Sequence, residues 1–239
     1  MTERELDPTS AEVRQFLGTA YPAVTRFATL LEEQGVLRGL IGPREVPRLW
    51  DRHLLNSAAV APYLPAEGVL VDVGTGAGLP GVVLACMRPD LHTVLLEPME
   101  RRVQWLREVV EALGLTGAEV VRGRAGEVSL PDRASAVTAR AVAALDRLAE
   151  WTLPMLGVGG TLLAMKGDRA AEEIAAAEDA VRRLGGGAAE LLDAAVLPGV
   201  TRTSVVRITK ERDLPPPLRA TTRRPRKSRG SSRPPSSGR

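Results

Sequence analysis

Val71-Asp72-Val73-Gly74-Thr75-Gly76-Ala77-Gly78-Leu79-Pro80-Gly81 is the stretch on which the reading of this 239-residue chain turns. An apolar, β-branched run enters a cluster of glycines, and a helix-compatible apolar run at 79–87 follows, with a proline near its first turn. Glycine admits positive φ and lets a ligand lie against bare backbone. The start of the following helix adds unpaired N–H groups. Such a strand–turn–helix unit sits at the C-terminal edge of an open α/β sheet, where ligands bind. The motif alone leaves its ligand open. Gly76, Gly78 and Gly81 also satisfy G-x-G-x-x-G, the dinucleotide fingerprint, and a lone match of that kind is weak. Glu97 ends the next apolar run, 19 residues past Gly78, where a carboxylate meets ribose hydroxyls of a nucleoside cofactor.

Outward from this turn the chain alternates short strands with helices. Strands are predicted at 69–73, 93–97, 119–122, 136–139 and 161–165, and helices at 79–87, 100–113, 145–156 and 169–184. Alternation of this kind implies a parallel sheet with helices on both faces. The rhythm then breaks: 191–197 and 204–209 read as strands joined by a short loop holding Pro198-Gly199, which allows a hairpin and forbids a helical crossover. The expected fold is therefore α/β, doubly wound, with a mostly parallel seven-stranded sheet and a terminal antiparallel hairpin. That is the Rossmann-like arrangement of class I S-adenosylmethionine-dependent methyltransferases.

Upstream, residues 9–61 read as helices. Phe16, Leu17, Ala20 and Tyr21 share one face, Val24, Phe27, Leu30 and Leu31 a second, and Val46, Leu49, Trp50, Leu54 and Ala58 a third, with Pro22 and Gly42-Pro43 as separators. The organisation expected is an N-terminal helical extension over 1–65 packed on a catalytic domain over 66–210, then a disordered basic tail over 211–239. The tail holds Pro215-Pro216-Pro217, Arg223-Arg224 and Arg226-Lys227 and offers nothing apolar to bury.

Charge is unevenly placed. From Glu211 onward there are 9 basic and 2 acidic residues, a net +7, whereas the preceding 210 residues are net −4. Of 32 basic residues 29 are arginine, a bias that genomic base composition also produces. Cys86 is the single cysteine and lies in the apolar run 82–87, so it reads as a small core residue, unable to form an intramolecular disulfide or a thiolate metal cluster. With two histidines besides, no zinc set and no metal are expected, and no Ser–His–Asp arrangement is evident. The polar, acidic N-terminus shows no apolar stretch of the kind a signal peptide has, so none is expected, and no run of about 18 apolar residues exists to span a membrane. A cytoplasmic monomer without membrane association is expected.

Three features favour a methyl donor over a dinucleotide: Asp72 two residues before Gly74, which fits the methyltransferase pattern [D/E]-x-G-x-G; the closing hairpin; and a glycine strand that begins behind a helical block. Two other readings stand beside it. One is an NAD- or FAD-binding oxidoreductase using the same turn, the other a non-catalytic RNA-binding protein driven by the basic tail.

Arg52-His53-Leu54-Leu55-Asn56-Ser57, the glycine stretch from Asp72 to Gly81, Ala139-Arg140-Ala141 and Met165-Lys166-Gly167, in that order, resemble the RsmG (GidB) methyltransferases over roughly residues 23–210. Asn56 and Glu97 stand where many members have aspartate. The resemblance implies an S-adenosylmethionine-dependent enzyme that methylates N7 of guanine 527 (nucleotide numbering) in 16S ribosomal RNA, with the RNA or the small ribosomal subunit as partner. It carries cofactor binding onto Gly74, Leu79, Ala125, Gly126 and Arg140, and Glu97 joins them from its place after the second strand. No catalytic residue is fixed; Arg140, His53 and Lys166 are the candidates. His53 shares a helical face with Leu49 and Trp50, so a satisfied core histidine is the competing reading. A surface ion pair competes at Arg140, and a solvated strand-end lysine competes with a phosphate contact at Lys166. Guanine N7 carries its own lone pair, so the reaction asks for in-line positioning rather than a general base.

Overall fold

The computed structural model describes residues 6–128, 130, 132–194, 197, 200 and 202–213. Seven strands form one sheet: β1 (Val69–Val73), β2 (His92–Glu97), β3 (Ala118–Arg122), β4 (Ala134–Arg140), β5 (Leu156–Lys166), β6 (Glu190–Ala194) and β7 (Thr203–Thr209). Their order is β3-β2-β1-β4-β5-β7-β6. β1 to β5 run parallel, while β7 pairs antiparallel with both β5 and β6. A dinucleotide-binding sheet has the order 3-2-1-4-5-6. Here β7 is wedged between β5 and β6 in the opposite sense, because the short connection after β6 leaves no length for a crossover. The sixth strand begins one residue earlier than expected and is described over Glu190–Ala194, paired with β7 as far as Ala194 opposite Thr203, while positions 195 and 196 of the expected 191–197 lie outside the described residues. Pro198 and Gly199 of the expected loop lie outside the described residues.

The helices are α1 (Ala11–Leu17), α2 (Tyr21–Gln34), α3 (Asn56–Ala58), α4 (Gly81–Met87), α5 (Glu100–Leu113), α6 (Leu145–Thr152) and α7 (Ala170–Arg183). Ser10 caps α1 by accepting from the Val13 N–H at 3.3 Å, the ordinary role of serine at that position. Pro22 does not separate helices. It occupies the first turn of α2, where its missing N–H costs nothing. Nor does the third apolar face of the extension form one α-helix. Pro43–Arg48 is a 3-10 segment and Leu49–Leu55 a π-helical turn, with Pro43 and Pro47 removing the amides a regular helix would need. Among the described residues no helix is long and apolar enough to cross a membrane.

The extension shares a core with the sheet. Val24, Phe27 and Leu31 of α2 and Leu49 and Leu54 pack with Val82 and Val83 of α4 and with Trp105 and Leu106 of α5. The other face of the sheet is covered by α6 and α7, through Leu145, Leu148, Ala149, Ala177 and Val181. Cys86 is part-buried against the first core, and burial pushes its thiol up to about 12, so it is a packing residue. The described chain stays tied to the body beyond Lys210. Glu211 N and Arg212 N donate to Gly185 O at 2.8 and 3.2 Å, and an Arg212 guanidinium nitrogen donates to Arg182 O at 2.7 Å. The basic stretch from 214 onward lies outside the described residues.

Candidate active site

Because β1, β2, β4 and β5 are parallel, Gly74, Glu97, Arg140 and Lys166 all arrive at one edge of the sheet. At Gly74 the chain takes a φ of +66°, and a Cβ built there would stand 3.0 Å from Cγ2 of Val142, in the loop after β4. The turn is fixed from three sides. Gly74 N and Thr75 N donate to Leu96 O, at 2.8 and 3.2 Å. Asp72, wholly buried, accepts from Gly81 N at 2.8 Å and from Thr138 Oγ1 at 3.0 Å. Trp105 Nε1 donates to Ala77 O at 2.9 Å from beneath. A Cβ on Gly81 would clash with Leu95 and lie 2.6 Å from Asp72 Oδ2, so this glycine serves close approach of α4 to β1. Burial pushes the Asp72 carboxyl up to about 6, against the hydrogen bonds it accepts and the positive charge of Arg140.

Glu97 is buried, with Oε2 accepting from Gly76 N and Oε1 from Met99 N, each at 3.0 Å. Each oxygen keeps a lone pair for a hydroxyl donor. Arg102 approaches Oε2 at 3.9 Å. Leu79 is buried in the core behind the turn, and its backbone N–H donates to Thr75 O at 3.0 Å. Ala125 is half-buried and Gly126 exposed at φ +85°, where a Cβ would meet Trp151 Cδ1 at 3.3 Å. A bare glycine turn, a carboxylate with capacity for ribose hydroxyls and a small Ala-Gly step form a fitting cradle for the adenosine and sulfonium of S-adenosylmethionine.

His53 lies on the π-helical turn and is neither a core histidine nor free. Its Nδ1 is 2.9 Å from an Arg140 guanidinium nitrogen, and its Nε2 is 2.8 Å from Glu45 Oε2. Burial lowers the His53 pKa, with the Arg140 charge acting the same way and Glu45 opposing. Arg140 also donates to Arg52 O at 3.5 Å. The surface ion pair considered for Arg140 is thus replaced by an imidazole partner, and burial lowers its own pKa while Asp72 and Glu45 hold it up.

Lys166 is a correction. Its side chain is only 6% exposed, and Nζ donates to Ala143 O at 2.6 Å and to Glu173 Oε2 at 2.7 Å. It is neither a solvated strand-end lysine nor a group free to meet phosphate. Beside it a cleft of about 660 Å³ opens, lined among others by Asn56, Arg140, Val142, Lys166, Arg169 and Thr203. Asn56 Oδ1 accepts from Thr203 Oγ1 at 2.6 Å, which ties α3 to the start of β7. The cleft therefore adjoins the glycine turn across the loop after β4.

Sequence reasoning missed Glu45, Val142, Trp105 and Glu173. Glu45 sits eight residues before His53 in an irregular segment, so no periodicity links the two. Trp105 lies on the buried face of α5 and was legible as apolar, but nothing in the spacing tied its N–H to Ala77.

The profile of the GidB family, described as rRNA small subunit methyltransferase G, matches residues 20–192. The chain belongs to this family. A ribosomal RNA small subunit methyltransferase G of Streptomyces coelicolor is 56% identical over 76% of this chain and 76% of its own length. That of Thermobifida fusca is 47% identical over 96% of this chain and 97% of its own. Among solved structures, a SAM-dependent O-methyltransferase of Thermotoga maritima shares the fold with a TM-score of 0.53 at 14% identity, over 66% of each chain. Membership of the rRNA small subunit methyltransferase G family decides between the readings that the glycine turn left open: the turn is that of a methyltransferase, and the dinucleotide and non-catalytic readings fall away.

Proposed function

We propose that this chain transfers the methyl group of S-adenosylmethionine to N7 of guanine 527 in 16S ribosomal RNA, in the cytoplasm, with the small ribosomal subunit or its RNA as partner. The observation that carries this reading is that Arg140, His53, Lys166 and Asp72 are each already engaged by other groups of the chain. Arg140 acts only as a donor, so His53 Nδ1 must be the acceptor and its N–H points from Nε2 to Glu45. Lys166 is held by Glu173 and Ala143, and Asp72 by Gly81 and Thr138. A hydroxyl or exocyclic amine acceptor has a proton to lose. Guanine N7 has a free lone pair and none, which suits a site whose side chains position rather than titrate.

When bound, the cofactor supplies an activated methyl group on a sulfonium. The residues proposed to hold it are Gly74 and the backbone at Leu79, Glu97 at the ribose, and Ala125-Gly126 beside the adenine. Arg140 is proposed at the mouth between donor and acceptor, held in place by His53 and Glu45. The chain's task is alignment, which supplies on the order of 7–11 kcal/mol when reacting atoms are held near attack geometry. His53 and Lys166 serve as supports rather than as groups that move protons. Arg52, only partly engaged by Glu45 at 3.7 Å, and the exposed Arg169 at the cleft are the proposed phosphate contacts.

The test has two arms. Calorimetry with S-adenosylmethionine and with NAD separates the cofactors, with binding expected for the first alone. Digestion of methylated RNA to nucleosides then identifies the product. 7-Methylguanosine is expected; a methylated ribose or exocyclic amine would contradict the proposal.

A further inference from the structure

Glu173 stands on α7, outside every motif by which this site is recognised, yet its carboxylate reaches back to the sheet edge. Its Oε2 accepts from Lys166 Nζ at 2.7 Å and from the backbone N of Leu145, the first residue of α6, at 3.0 Å. Lys166 Nζ in turn donates to Ala143 O at 2.6 Å. One carboxylate oxygen and one ammonium therefore tie down the loop after β4 at its carbonyl and at its exit into α6. The pair is shielded, with the lysine side chain 6% and the glutamate 27% exposed, so removing either partner leaves the other charge poorly compensated.

The loop needs such a tie. Ala141 adopts a φ of +53°, the one non-glycine residue with positive φ among the described residues, a conformation that persists only where the surroundings over-determine it. The next residue, Val142, faces the point where a Cβ on Gly74 would stand, at 3.0 Å. Residues 141–144 also line the cleft of about 660 Å³. The same four residues are thus the wall between the glycine turn and the cleft.

We propose that Glu173 is a positioning residue. By accepting from Lys166 and Leu145 together it fixes the wall at 141–144 and with it the separation between donor and acceptor. It touches neither. The inference rests on the function proposed above, and its test uses a second readout that does not depend on methyl transfer.

The comparison is between the full-length protein, Glu173→Ala and Glu173→Gln. Glutamine keeps an oxygen that accepts from both donors, whereas alanine keeps none. For E173A a single-turnover methyl transfer slower by about 100-fold is expected, the cost of a misplacement on the order of 1 Å. Its S-adenosylmethionine Kd by calorimetry should change by no more than about three-fold, and amide exchange over 142–145 should quicken by about ten-fold. E173Q keeps the acceptor but not the charge opposite Lys166, so it should fall between wild type and E173A, retaining clearly more rate and slower exchange than E173A. If E173A fails to melt cooperatively, Glu173→Asp, too short to reach both donors, takes its place with the same expected signature. Unchanged exchange over 142–145 in E173A overturns the proposal, as does an equal loss of rate in E173Q and E173A. A wild-type protein that transfers no methyl group would count against the function, and the exchange comparison would still decide the clamp.

Discussion

Arg140 donates to Nδ1 of His53 at 2.9 Å, and that contact fixes the imidazole's protonation as well as its place. A guanidinium has no acceptor, so Nδ1 carries the lone pair and Nε2–H donates to Glu45 at 2.8 Å. Protonation of His53 would set two cations face to face. Burial and Arg140 both lower its pKa, and the linkage has a definite sign: the neutral form is the folded form, so the contribution is present above the ordinary histidine value and is lost as pH falls through the lowered one. Wild-type transfer should accordingly decline only on the acid side of the ordinary histidine value, once pH reaches the lowered pKa of His53. His53→Asn places an amide oxygen where Nδ1 was and cannot titrate. It should keep most of the activity and lose that acid limb, as read from single-turnover rates between pH 5 and 8. An acid limb that persists unchanged in the variant would assign it to another group.

Arg140→Ala removes the group that links the extension to the sheet edge through His53 and Arg52. Single-turnover transfer should fall by about 100-fold, since the loss is one of alignment. Thermal melting should remain cooperative, because the strand β4 that carries it is buried by other residues. A variant as active as wild type would show that the guanidinium plays no part in the site.

Two glycines in the same turn should fail differently. Gly74→Asp adds a carboxylate to a residue at φ +66° facing Val142, and S-adenosylmethionine binding should be lost from a protein that still folds. Gly81→Ala forces a methyl group against Leu95 and Asp72 and should cost about 1–3 kcal/mol of stability by overpacking. Calorimetry and urea unfolding on both variants would separate the effects, and equal destabilisation would remove the distinction drawn between them.

Asp72 gives a stability prediction. Its carboxyl, raised by burial to about 6, is protonated in the fold where an unfolded aspartate near 3.8 is already ionised. Folding therefore takes up a proton between these values, and stability falls as pH rises through that window. A shift of this size corresponds to roughly 3 kcal/mol. In Asp72→Asn the amide oxygen can still accept from Gly81, and the NH2 can donate to the Thr138 hydroxyl, which accepts as readily as it donates. The stability difference between wild type and variant should thus move in favour of the variant from pH 4 to pH 6. A difference independent of pH would show that Asp72 is ionised throughout.

The sheet was largely legible because its signals are periodic and local: apolar runs, glycines at the turn, and a last connection too short for a crossover. The π-helical turn at Leu49–Leu55 was not, since apolar spacing there fits an α-helix and the effect of Pro43 and Pro47 on the amides downstream has no period of its own. The placement of the candidate site residues at strand ends was legible for the same reason as the strands. Their partners were not. Glu45 and Glu173 reach His53 and Lys166 only through tertiary packing, and Lys166 at the end of β5 gives no sign in sequence that a helix residue seven positions later will neutralise it. Arg140 shows the same limit, because its partner is a histidine 87 residues away.

The last 26 residues hold eight basic and no acidic side chains, whereas the described chain remains bonded to the body through Arg212. Removing 214–239 should leave S-adenosylmethionine affinity unchanged and flatten the salt dependence of binding to 16S RNA. Every phosphate that these residues neutralise steepens the slope of log K against log[salt] by roughly 0.7 to 0.9. Identical slopes with and without them would mean that they do not touch RNA.

The most direct test of the proposed activity is to map the methyl group itself. Small subunits or 16S RNA that lack the modification are incubated with the protein and labelled S-adenosylmethionine, and the labelled nucleotide is located by cleavage at 7-methylguanosine. Label is predicted at N7 of guanine 527, lost in Gly74→Asp and strongly reduced in Arg140→Ala. Label at another nucleotide or another atom, with wild-type levels in both variants, would contradict the proposal.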